Sequence, residues 1–89
     1  MRSDEMKVDG NAIGGLMFEL FGREMTGAPG VCGSCGAEDF LARLDVYVHA
    51  AGTVARCGHC GAVLMRVVEG RGKTWVDLSG FTTIELRTQ

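Results

Sequence analysis

Four cysteines carry the densest chemistry in the chain, and they come in two pairs, VCGSCG over 31–36 and RCGHCG over 56–61. Each pair is Cys-x-x-Cys-Gly, with 21 residues between Cys35 and Cys57. Two residues between cysteines let one tight turn aim both sulfurs at a single ion, and the glycines let backbone amides turn toward the thiolates. One such turn supplies two ligands, whereas a tetrahedral Zn²⁺ site takes four. The spacing falls one residue past the usual zinc pattern, in which about 15–20 residues separate the pairs. Cys32, Cys35, Cys57 and Cys60 are therefore read as the ligands of one Zn²⁺ per chain.

Other uses of the same sulfurs are weaker. CGHC taken alone is the tetrapeptide of disulfide-exchange enzymes, but a dithiol oxidoreductase places its reactive cysteine at a helix N-terminus. Here the motif runs into Gly61-Ala62 and an apolar, β-branched stretch. Iron accepts the same four thiolates, and ligand spacing does not separate the two metals. A rubredoxin-like, electron-transferring site surrounds its iron with aromatics, and this chain is only 7% aromatic. Two disulfides would suit a secreted chain, and the N-terminus MRSDEMKVDGN has no signal-peptide character. His59 sits inside the second pair, where four thiolates already complete the shell, so it reads as exposed or as a hydrogen-bonding neighbour; His49 reads as a solvated strand end. A closed four-cysteine shell leaves no open coordination position, and no nucleophile elbow, His-Glu-x-x-His helix or phosphate loop is present, so no enzyme is expected.

The elements that position the cysteines follow from periodicity. Ile13, Leu16, Met17, Leu20 and Phe21 fall on one helix face, with Asp9 or Asn11 as N-cap, which predicts an amphipathic helix over about 9–26. Residues 40–49 alternate as a half-buried strand, Ala50-Ala51-Gly52 turns the chain, and strands are expected from Thr53 to Arg56, over 62–69, and from Lys73 to Leu78 beyond a Gly70-Arg71-Gly72 hairpin. Residues 81–86 read equally as a strand or a turn of helix. The expected fold is small α+β: an N-terminal amphipathic helix packed on an antiparallel β-meander of three to four strands (about 31–86), a single domain over 9–89 behind a flexible stretch 1–8.

A chain of 89 residues forms one domain whose core is marginal without a metal or partner. No run approaches the roughly 20 apolar residues of a membrane span, and a cytoplasmic location without membrane contact is expected. The pairs CGSCG and CGHCG around a hairpin resemble the zinc-ribbon class. DGNAIGGLMFELFGREMT, GTVARCGHCGAVLMRVV and VDLSG further resemble a family of short, uncharacterised bacterial zinc-ribbon proteins. That resemblance implies fold and metal, and no substrate or partner.

Two surfaces are candidates for contact. The apolar face of the helix is wide, which fits either a helix buried deeply in its own domain or one whose Phe18, Phe21 and Met25 meet a protein partner or a second copy. Arg56, Arg66, Arg71 and Lys73, with Trp75 and Tyr47 for stacking, form the alternative, a nucleic-acid surface. The net charge of −2, made more negative by four thiolates on a divalent ion, disfavours that alternative.

Overall fold

A computed structural model describes residues 6–50 and 52–86. The expected flexible lead over residues 1–5 and position 51 of the expected turn lie outside them. The α+β expectation is overturned: the described residues are mostly β, eight strands in two antiparallel sheets, with one short α-helical segment among them. Strands β1 (Met6–Asp9), β4 (Asp45–His49), β5 (Gly52–Arg56), β6 (Val63–Gly70) and β7 (Lys73–Asp77) form the larger sheet, in the order β1-β4-β5-β6-β7. Strands β2 (Pro29–Cys32), β3 (Glu38–Phe40) and β8 (Phe81–Ile84) form the smaller one, in the order β3-β2-β8.

The helix is shorter than its apolar pattern. Asp9 caps a 3-10 turn, Gly10–Ile13, its carboxylate accepting from the Ala12 amide at 3.3 Å. The α-helix then covers only Gly14–Phe21 (α1) and stops at Gly22, whose φ of 71° and amide bond to the Phe18 carbonyl are those of a left-handed C-cap. Met25 keeps the helical spacing but enters the core from the loop beyond, 1% exposed. The long strand expected over 40–49 is also divided. Leu41 and Leu44, three apart, both turn inward across a 3-10 turn, Leu41–Arg43, so the inside-outside alternation begins only at Asp45.

Four strands went unread in the sequence or were left undecided, among them Glu38–Phe40, of which only Phe40 fell in the strand expected over 40–49. Met6–Asp9, assigned mostly to the flexible stretch, pairs with β4, with Lys7 opposite Tyr47 and Val8 opposite Val46. β2 begins with Pro-Gly, a turn signature, yet it is central in its sheet; the proline occupies the first position, where a missing donor costs least. Residues 81–84 resolve as a strand paired to β2. Just before them, Gly80 is held against the backbone of β6, where a Cβ would come within 2.1 Å of the Val63 carbonyl oxygen.

A single core joins the layers. Ile13 and Met17 from the helical segment, Met25 and Leu41 from the loops, and Val46, Ala55, Leu64, Met65 and Val67 from the larger sheet are buried together. Cys32 and Cys57 belong to the same cluster, at 2% and 3% exposure, so the core and the cysteine site are continuous.

Candidate metal centre

The two cysteine pairs fold into the same local structure. In the first, the Gly36 amide donates to the Cys32 carbonyl at 2.9 Å and the Cys32 amide to the Ala37 carbonyl at 2.9 Å. In the second, the Gly61 amide donates to the Cys57 carbonyl and the Cys57 amide to the Ala62 carbonyl, each also at 2.9 Å. Both turns close through a left-handed glycine, with φ of 77° at Gly36 and 80° at Gly61. A side chain at either would meet nothing within 4 Å, so the requirement is conformational, not spatial.

The first turn hangs from β2 in the smaller sheet and the second from β5 in the larger, and they face each other. Cys32 Sγ lies 3.7 Å from Cys60 Sγ, Cys35 Sγ lies 3.8 Å from Cys57 Sγ, and all four sulfurs are within 4.8 Å of one another. A tetrahedral ion with metal–sulfur bonds of about 2.3 Å spaces its sulfurs about 3.8 Å apart. The two crossed pairs already have that spacing, and the four-sulfur donor set suits a soft or borderline cation. The four cysteines can therefore hold a metal ion. Cys32 and Cys57 face the core, while Cys35 and Cys60 are exposed.

Backbone amides support the anionic form of the inner sulfurs. Ser34 and Cys35 donate to Cys32 Sγ at 3.3 and 3.5 Å, and His59 donates to Cys57 Sγ at 3.4 Å. The Cys35 amide, aided by that of Ser34, holds the Cys32 thiol down at about 6. Cys35 moves the other way: the Ala37 amide pulls its thiol down, but burial and the crowded sulfurs of Cys32, Cys60 and Cys57 outweigh it and raise it to about 11. Cys32 and Cys35 are thus pushed in opposite directions where four sulfurs crowd together. A divalent cation among them removes the conflict, because it favours the thiolate at every position.

His59 is no ligand. Its Nε2 lies 3.3 Å from Asp39 Oδ2, and Asp39 Oδ1 lies 3.6 Å from Arg43 Nε, so a row of polar side chains links the second cysteine turn to the strand that follows the first. Asp39 was missed in the sequence; its only signal there is its place four residues before Arg43. The proposed apolar contact residues separate: Phe18 is 55% exposed, Phe21 is half-buried against the core, and Met25 is inside it.

The cationic candidates are brought closer together. Arg56, Arg66, Lys73 and Trp75 occupy the outer face of the larger sheet with Lys7 and Tyr47, while Arg71 sits in the β6–β7 turn. Arg56 is engaged there, donating to the Gly61 carbonyl at 2.9 Å and lying 5.9 Å from the Tyr47 ring centre, as Lys7 does on the other side. Among the described residues no helix is long and apolar enough to cross a membrane.

Comparison with curated proteins finds no match, and comparison with solved structures finds none. A family's sequence pattern does match, over residues 3–89, and carries the description "Family of unknown function (DUF6510)". The two cysteine turns lie inside that span, and the chain belongs to the DUF6510 family.

Proposed function

We propose that this protein is a non-enzymatic zinc module in which Cys32, Cys35, Cys57 and Cys60 hold one Zn²⁺, and that it works through contact with protein. The observation that carries the metal half of this reading is the cluster of four sulfurs contributed by two different sheets. A core of this size is marginal by itself, and a structural zinc can add roughly 10–16 kcal/mol of apparent folding free energy. Four thiolates close the shell, so a zinc held there has no position for water or substrate and acts as a cross-link. Zinc is preferred to iron because few aromatics shield the site and two of its cysteines are exposed. Metal analysis of protein purified without added metal tests this: one zinc per chain is expected, and a red, iron-bearing sample would move the reading to electron transfer.

The contact half rests on large apolar side chains left at the surface, Phe18, Phe40, Trp75 and Leu86 among them. A second reading, single-stranded nucleic acid, draws on the outer sheet face, where cations flank Tyr47 and Trp75. Asp9, Asp45 and Asp77 share that face and weaken its attraction for phosphate. A DNA or RNA shift assay separates the readings. Binding that falls steeply with salt would favour nucleic acid, and no shift at low salt would remove it.

A further inference from the structure

The β6–β7 hairpin is the least covered part of the larger sheet. All five residues of β7 are exposed, Trp75 at 56% and Val76 at 40%, and Val68 across from Trp75 is 42% exposed. β7 is also the last strand of its sheet, so one row of its backbone groups faces away from any strand of that sheet. Which groups these are follows from the turn. Arg71 and Gly72, with φ of 52° and 75°, make a two-residue connection, and its flanking pair, Gly70 and Lys73, exchanges hydrogen bonds. Bonding alternates along an antiparallel pair, so Trp75 and Asp77 also bond inward, and Thr74 and Val76 turn their amides and carbonyls to the open edge.

The strand reads Lys73-Thr74-Trp75-Val76-Asp77, with opposite charges at equal distances from a central tryptophan. Lys73, Trp75 and Asp77 share one face of the sheet. We propose that β7 is a self-pairing edge, joining two copies of this chain antiparallel about a two-fold axis at Trp75. In that register Thr74 meets the partner's Val76, the two residues whose backbone groups point outward, and they exchange hydrogen bonds on both sides of the axis. Lys73 stands opposite the partner's Asp77, twice, and the two Trp75 rings meet at the centre. Cross-strand pairs of opposite charge and of aromatics are the favourable kinds. Charges on an edge strand often serve to repel pairing. Here their signs are antisymmetric about Trp75, so the two-fold register matches them instead. This rests on the protein-contact reading above and gives it an occupant, and it is independent of which metal is bound.

Five residues a side is a small interface, so the dimer is expected with Kd on the order of 100 μM. Sedimentation equilibrium of the full, metal-loaded chain up to millimolar concentration measures it, with metal content determined on the same samples. Lys73→Asp makes the strand acidic at both ends and Asp77→Lys makes it basic at both. Each variant alone should weaken dimerisation about tenfold or more, and an equimolar mixture of the two should recover a heterodimer near the wild-type Kd. Trp75 is the only tryptophan, so pairing should also produce a concentration-dependent exciton couplet in circular dichroism. A monomeric wild type at millimolar concentration overturns the proposal. So does a dimer that survives both single charge reversals, or one abolished by Phe18→Ser and untouched by Lys73→Asp. Because metal content is read separately, a missing dimer with one zinc per chain sinks the pairing alone, and a missing metal sinks the zinc site.

Discussion

The two cysteine turns are alike inside and different outside. Each closes with the same pair of backbone hydrogen bonds and a left-handed glycine. One, however, extends β2 of the three-stranded sheet and the other extends β5 of the five-stranded sheet. Within each turn the first cysteine is buried and the second exposed, so both turns present one sulfur to the core and one to solvent. The repetition in sequence thus encodes two equivalent half-sites, and their placement on separate sheets makes the site a joint between layers. A metal bound there acts on tertiary structure more than on either turn.

Removing a bound metal should break the comparison most severely. Four crowded thiols would remain between the sheets, and the roughly 10–16 kcal/mol that a structural zinc can supply would be lost. Calorimetry before and after verified chelation should show the cooperative transition disappear or fall far in temperature. An unchanged transition would mean that the core alone holds the sheets together.

Replacing single ligands should then separate the inner from the outer positions. Any Cys→Ser change should weaken zinc by more than the ~100-fold associated with losing an outer-shell partner. Cys32→Ser and Cys57→Ser should in addition lower the denaturation midpoint measured in excess zinc, because they place a hydroxyl in the core cluster. Cys35→Ser and Cys60→Ser should lower it less. Equal midpoints for all four would show that burial of the inner pair contributes nothing beyond ligation.

The turn glycines probe equivalence directly. Gly36→Ala and Gly61→Ala each force a Cβ into the left-handed region without a clash, at a cost of about 1–2 kcal/mol. Chemical denaturation should give the same loss for both. A difference above about 0.5 kcal/mol would mean that the sheets constrain the two turns unequally.

The smallest effect belongs to the feature that distinguishes the turns, the Asp39–His59 pair. It is exposed and about 3.3 Å long, so Asp39→Ala should change stability by about 0.5 kcal/mol or less. Zinc content should stay at one per chain. Loss of metal in that variant would promote Asp39 from surface partner to support of the site.

How far the sequence carried depended on how local each signal was. The four cysteines were legible because a Cys-x-x-Cys-Gly turn is made within six residues and performs the same geometry wherever it stands. The β6–β7 hairpin was legible for the same reason, its turn chemistry being contained in Gly70–Lys73. The helix was overextended because Met25 continues its spacing; Gly22 was the stop signal, and the apolar pattern concealed it. Met6–Asp9 and Pro29–Cys32 escaped because neither strand has strong propensity of its own. The first is made by pairing with β4, the second by pairing with β3 and β8. The break at Leu41 escaped because a strand and a 3-10 turn bury different alternations of the same apolar residues.

By itself, then, the sequence determined the ligand chemistry: four sulfurs, two tight turns, and the glycines that let them close. Those depend on covalent geometry and on backbone angles a few residues apart. Only the tertiary structure decided that the turns belong to different sheets, that Met25 is core and Phe18 surface, and that β7 ends as an open edge. Those outcomes depend on pairings between residues far apart in the chain, where burial and strand partnership override local preference.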